Sequence, residues 1–165
     1  MTIPIRKMRD ADIQQVQRIA RTTWNATYEG IIPLVVQNNF LDSHYSDESM
    51  KLRMERSVLY VAEFEGKIAG FANFSPVRVG GKVELAAIYV DPECQGKGIG
   101  TALLQQAINE LPGIQEIYVN VEKENKIGIN FYKAKGFEIV KEFEEQFDGH
   151  SLKQIRMVKH VPSLN

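Results

Sequence analysis

Short runs of alternating apolar and polar residues are separated along this chain by stretches whose apolar positions recur at helical spacing. "IPIRKM" makes a short first strand. Asp10 then caps a helix whose apolar positions Ile13, Val16, Ala20, Trp24 and Tyr28 share one face, and the Gly30 to Pro33 segment ends it. "PLVVQNNFL" and "DESMKLRMER" each read as a short helix, joined by a polar turn at Asp42-Ser43. "SVLYVAEFEGKIAGFANFSPV" holds two β-rich runs on either side of Glu65-Gly66, a hairpin signature, with Pro76 closing the second.

The run Val83 to Val90 is apolar except for Glu84, which predicts a mid-sheet strand buried on both faces. After a glycine-rich turn, Ile99, Leu103, Leu104, Ala107, Ile108 and Leu111 trace one face of a helix that Pro112-Gly113 stops. The strand "QEIYVNV" completes a βαβ unit with a right-handed crossover. Asn125 caps a further helix running to Lys135, and Gly136 supplies the left-handed residue after it, so that Phe137 packs back on the last turn. "FEIVKEFEEQ" and "SLKQIRMVKH", separated by Asp148-Gly149, end the chain as a hairpin. The predicted order is β-α-α-β-β-β-α-β-α-β-β, an α/β fold with a central mixed twisted sheet of six to seven strands flanked by helices.

With 165 residues and no Pro/Gly/Ser linker, residues 1–165 are expected to form one domain. A chain of that size buries roughly 70% of the surface it exposes when unfolded. The net charge of -1 argues against a nucleic-acid surface. A single cysteine, Cys94, excludes an internal disulfide framework and fits a reducing compartment. "MTIPIRKMRDAD" lacks the apolar core of a signal peptide, and no run reaches the roughly 18 apolar residues of a membrane span. The expected location is the cytoplasm, with no membrane partner.

Chemistry concentrates in "CQGKGIGT", Cys94 to Thr101, where three glycines lie between a strand and a helix. Such a turn points several unpaired backbone N–H groups at one spot, where the helix dipole also favours an anion. Glycine permits positive φ and keeps a Cβ from holding the anion off the backbone. The spot suits a phosphate, and Lys97 adds a cation; the bland alternative is a tight packing turn. A nucleotide P-loop, G-x-x-x-x-G-K followed by Ser or Thr, is absent. The dinucleotide fingerprint G-x-G-x-x-G would require glycine where Thr101 stands, although Glu122 imitates its ribose-binding acid.

"VDPECQGKGIGTALL" resembles the acyl-CoA signature of the GNAT family of N-acetyltransferases through Gln95, Gly98 and Gly100. A second stretch, "ENKIGINFYKAKGF", resembles that family's later motif N-x-x-A-x-x-F-Y-x-x-x-G-F, with Asn125, Phe131, Tyr132, Gly136 and Phe137 in register and glycine at 128 where alanine is usual. "TTWNATYEGIIP" also looks like a branch of the family, less specifically. The resemblance covers essentially the whole chain and implies a single-domain acyl-CoA N-acyltransferase fold. It implies direct acetyl transfer from acetyl-CoA to a primary amine of a small molecule or peptide, with no metal, in a monomer or homodimer. The alternatives are a non-catalytic acyl-CoA-binding sensor and a nucleotide-binding regulatory domain.

The resemblance assigns the CoA pyrophosphate to Gln95, Gly96, Lys97, Gly98, Ile99, Gly100 and Thr101, and the pantetheine arm to the strand edge Ile88, Tyr89 and Val90. A backbone N–H of that strand would polarise the thioester carbonyl. Asn125, Gly128 and Tyr132 fall at i, i+3 and i+7, one stripe of a helix, where glycine leaves room. The family implies that Asn125 hydrogen-bonds the pantetheine and that Tyr132 donates a proton to the departing thiolate; otherwise Tyr132 is a core aromatic beside Phe131. Glu84, in an apolar run where a carboxyl pKa rises, is the candidate general base, a position that some family members fill with a catalytic glutamate. The alternative places it at a solvated strand end beside Lys82, in a salt bridge. Trp24, Tyr28 and His44 are the acceptor-pocket candidates. The acidic bias of Glu138, Glu142, Glu144, Glu145 and Asp148 either attracts a cationic amine or is a solvated face.

Overall fold

Seven strands in one open sheet carry all the helices on their two faces in the computed structural model, which describes residues 2–162. The strands are β1 (Ile5–Lys7), β2 (Val58–Phe64), β3 (Lys67–Phe74), β4 (Lys82–Val90), β5 (Glu116–Glu122), β6 (Glu138–Phe147) and β7 (His150–His160). The helices are α1 (Ile13–Thr27), α2 (Leu34–His44), α3 (Asp47–Arg56), α4 (Ile99–Glu110) and α5 (Lys126–Ala134). Three helices therefore separate β1 from β2, one more than the predicted order carries. The sheet order is β1-β2-β3-β4-β5-β7-β6, antiparallel except between β4 and β5. Among the described residues, no helix is long and apolar enough to cross a membrane.

Two cores result. Phe74, Leu85, Leu103, Ile117 and Met157 pack between the sheet and α4, while Val16, Ile19, Leu41, Met50, Val61 and Phe71 pack on the opposite face under α1, α2 and α3. Both predicted hairpins turn through two residues of positive φ, Glu65-Gly66 and Asp148-Gly149, as the twist of paired strands requires. The α2–α3 joint lies at Tyr45-Ser46 and not at Asp42-Ser43. The α2 helix continues through that polar pair, and the Ser46 hydroxyl accepts the Ser49 N–H at 3.1 Å to start α3.

Two irregularities shape β4. Against β3, Phe74 pairs with Leu85 and Asn73 with Ala87, so Ala86 is the extra residue of a bulge. The side-chain alternation changes phase there: Val83 and Leu85 face the α4 core, whereas Ala87 and Tyr89 face the α1 core. On the other side, β4 pairs with β5 only at Lys82, Glu84 and the Val83 between them, opposite Glu116–Tyr118. Beyond Glu84 the two strands part, which leaves Ala86 exposed and Ile88, Tyr89 and Val90 half-buried. The run is thus central, but not buried on both faces along its length.

At the start of α1 the structure moves the cap by two residues. Asp10 opens a 3₁₀ turn, and it is the buried Asp12 carboxylate that accepts the Arg9 N–H at 2.8 Å and binds Arg6 at 2.7 and 2.9 Å. Arg6 also reaches Glu63 at 2.6 Å, tying the helix start to β2. The Arg6 hydrogen bonds, followed by that from Arg9, hold the Asp12 carboxyl below its ordinary value. A lowered folded-state pKa adds stability above the unfolded value, and that stability is lost as pH falls through the folded one. Asp12→Asn is therefore expected to cost about 2 kcal/mol at pH 7. In urea titrations at stepped pH, the gap between wild type and variant closes below about pH 4.

Candidate active site

The parting of β4 from β5 opens a cleft of about 790 Å³ that runs from the first turn of α4 to α1. Its walls are the freed edge of β4 (Leu85 to Val90), the glycine loop, the first turns of α5, and Trp24 and Tyr28 of α1. Of the residues singled out in the sequence, Ile88, Tyr89, Val90, Gln95, Gly96, Gly98, Ile99, Gly100, Thr101, Asn125, Tyr132, Trp24 and Tyr28 all line this one space. Lys97, Glu84 and His44 do not.

The loop acquires its shape from its glycines in two ways. Gly96 and Gly98 adopt φ of +80° and +81°, and Gly98 is the residue before α4. Gly100 lies inside the first turn, where a Cβ would come to 3.1 Å from the Phe131 ring, so glycine lets that ring of α5 sit against α4 without shifting by a few tenths of an ångström. The first backbone bond returned to this turn is Ala102 N–H to Gly98 C=O at 3.0 Å. The N–H groups of Ile99, Gly100 and Thr101 precede it and point out of the helix end. Lys97 contributes less than expected: its ammonium sits 5.4 Å from the Phe64 ring centroid. Cys94 borders the loop with its thiol pKa raised, by burial first and then by Asp91 and Glu93, which disfavours a nucleophilic thiolate.

Across the cleft, Asn125 caps α5. Its Oδ1 accepts the Gly128 N–H at 3.0 Å, which turns its Nδ2 hydrogens to the other side of the carboxamide. The space expected at Gly128 is taken by this carboxamide, because a Cβ on residue 128 would lie 2.7 Å from Asn125 Nδ2. Tyr132, one turn further, is 9% exposed and packs at 5.3 Å on Phe137 and 5.5 Å on Phe131. Burial, with Tyr28 nearby, raises its hydroxyl well above the ordinary range, so it stays protonated. Tyr28 is pushed up to about 12 by burial, with a smaller contribution from Glu122.

The α1 end of the cleft is aromatic. Trp24 stacks on Phe40 at 4.4 Å, donates its indole N–H to the Tyr89 hydroxyl at 2.9 Å and lies 5.9 Å from Phe147 at the tip of the β6–β7 hairpin. His44, placed in a polar turn by the sequence, is the last residue of α2 and stacks on Phe40 at 4.1 Å.

Glu84 is the main correction. The apolar setting expected for it is absent: its carboxylate is held by both terminal nitrogens of Arg156, one at 3.3 Å, and its side chain is 34% exposed. The salt-bridge alternative holds, with a partner on β7 and not at Lys82. Glu122 is no ribose ligand either, since its buried carboxylate accepts the Glu124 N–H at 2.7 Å to close the β5–α5 turn. Burial is the main cause of its raised pKa. Asn120, which lines the cleft, was missed, as were Arg156, which holds it, and Phe40 and Phe147, which pack on Trp24. The signal for Asn120 was the polar face Tyr118, Asn120, Glu122 alternating with Ile117, Val119, Val121 along β5; the other three had none.

Comparison with known proteins accords with this geometry. The model of the acetyltransferase (GNAT) family matches residues 14–137. A spermidine N(1)-acetyltransferase of Thermoplasma acidophilum is 31% identical over 147 residues, 84% of this chain and 90% of that protein. An uncharacterized N-acetyltransferase of Bacillus subtilis is 31% identical over 158 residues, 93% of this chain and 90% of its own. The crystal structure of the PaiA N-acetyltransferase of Thermoplasma acidophilum in complex with coenzyme A superposes with a TM-score of 0.81 at 28% identity, covering 97% of this chain and 99% of that one. The chain belongs to the GNAT acetyltransferase family and is an acetyl-CoA-dependent N-acetyltransferase.

Proposed function

We propose that this cleft moves the acetyl group of acetyl-CoA directly to a primary amine of a small molecule or peptide. One observation carries the reading: the outward N–H groups at the start of α4, the unpaired edge of β4 and the protonated Tyr132 hydroxyl all face the same space. Acetyl-CoA brings the activated acyl group and an anionic pyrophosphate. The loop residues 95–101 hold that anion through backbone N–H groups and the helix end. Ile88 to Val90 offer strand-edge hydrogen bonds to the peptide-like arm and an N–H for the carbonyl, and the Nδ2 hydrogens of Asn125 meet the arm from the other wall. Tyr132 supports the leaving sulfur by donating its proton. Trp24 and Tyr28 bound the acceptor amine.

Glu84 is removed from the proton path by Arg156, and its part is to hold that arginine. The amine proton leaves to water in the open cleft. The relatives act on spermidine in Thermoplasma acidophilum and, in a protein matching about half of this chain, on peptidyl lysine in Escherichia coli. Both classes of amine fit a cleft open at its acceptor end.

Thermal unfolding tests the cofactor. Acetyl-CoA and CoA at 100 times their dissociation constants are expected to add about 2.7 kcal/mol, several degrees in midpoint, where NAD and ATP add none. No shift with CoA would refute the reading. Tyr132→Phe is expected to lower kcat about 10²-fold while keeping the CoA shift. An unchanged kcat would return Tyr132 to the core. Gly98→Ala, forced into the left-handed region, is expected to weaken CoA about tenfold in calorimetric titration.

A further inference from the structure

At the point where β4 and β5 part, a chain of polar side chains crosses three strands. Glu84 on β4 holds Arg156 on β7, and Arg156 Nη1 in turn donates to Asn120 Oδ1 on β5 at 3.0 Å. The guanidinium lies 4.5 Å from the Tyr118 ring centroid, which fixes its plane, and the Arg156 side chain is only 22% exposed. Asn120 stands opposite Arg156 in the β5–β7 register, is exposed, and lines the cleft.

The chemistry of the pair dictates which way the carboxamide turns. A guanidinium carries donors only, so the group facing it must be the Asn120 oxygen. The Nδ2 hydrogens are then the half of the amide turned away from Arg156. The carboxylate at this place is already matched by Arg156, so the floor of the fork offers no uncompensated negative charge to an ammonium. It offers a fixed hydrogen-bond donor.

We propose that Asn120, oriented by the Glu84–Arg156 pair, is a specificity residue that donates a hydrogen bond to a carbonyl or carboxylate oxygen close to the amine that is acetylated. The acceptor class is then an amino acid, its amide or a peptide N-terminus, in place of a plain alkylamine or polyamine. This rests on the transferase reading above. A donor held toward an oxygen of the acceptor favours it over an analogue lacking that oxygen by about the net value of the one hydrogen bond the analogue cannot make.

The test measures kcat/KM by thiol release for glycinamide, propylamine and spermidine with wild type, Asn120→Ala and Asn120→Asp. The quantity read is the change in the glycinamide-to-propylamine ratio between wild type and variant, which cancels the different basicities of the two amines. The ratio is expected to fall about tenfold in Asn120→Ala, the value of one hydrogen bond. It is expected to fall further in Asn120→Asp, whose oxygens only accept, with a gain on spermidine. A CoA-induced thermal shift retained by both variants reports that they are folded. A ratio unchanged within twofold in both variants overturns the proposal, as does wild-type acetylation of propylamine or spermidine with none of glycinamide. No thiol release with any amine overturns the transferase reading itself, and the proposal with it.

Discussion

The separation of β4 from β5 after three paired residues is the constraint on which the site depends. A parallel pair broken in mid-sheet leaves a row of backbone N–H and C=O groups without partners, and buried groups in that state are costly. Solvent or a peptide-like ligand must satisfy them. The break is held open from both sides: the Ala86 bulge shifts the phase of β4 against β3, while β5 stays fully registered with β7 from Glu116 to Glu122. Below the fork, Arg156 ties Glu84 on β4 to Asn120 on β5. The opening is therefore a fixed feature of the sheet.

Two helices begin where those strands end, and that placement puts their N-termini on either side of the opening. The α4 helix follows β4 through the glycine loop, and α5 follows β5 through the turn closed by Glu122. Each presents the positive end of its dipole, and α4 adds the N–H groups of its first turn, whereas at α5 the Lys126 and Gly128 N–H groups are taken by Glu124 C=O and Asn125 Oδ1. The Phe131 ring of α5 sits against α4 at Gly100, where the missing Cβ gives it room. Leu85, Ile99 and Val119 line the cleft and still belong to the core under α4, as Trp24 and Ala87 belong to the core under α1, so the fork interrupts hydrogen bonding without interrupting the burial that stabilises the fold.

What was legible in the sequence was local. Glu65-Gly66, Asp148-Gly149, the Asn125 cap and the Gly136 stop each act within a few residues, and the structure keeps all four. The glycine loop was legible for the same reason. The bulge was not, because "VELAAIYV" has nothing at Ala86 to distinguish it from a regular strand residue; its irregularity is set by pairing with β3. The setting of Glu84 was misjudged for a related reason. Its apolar neighbours in sequence point to burial, while the group that defines its chemistry, Arg156, is 72 residues away and meets it only through the β4-β5-β7 order. Asp12 in place of Asp10 is a smaller case, decided by the reach of Arg6 from β1.

The ionisable groups around the acceptor end bear on how the proton leaves. Burial raises Tyr28, Tyr89 and Tyr132 alike, so all three hydroxyls are neutral at physiological pH and act as donors. Tyr89 accepts from Trp24, which fixes that hydroxyl in the aromatic wall. Of the nearby carboxylates, Glu84 is engaged by Arg156, and Glu122 is tied to the Glu124 N–H and does not line the cleft. Glu124 is the carboxylate that does line the cleft, at its exposed α5 wall. In the reading proposed above, the amine proton therefore leaves to water on the exposed side of the cleft, while the buried hydroxyls stay with the departing sulfur.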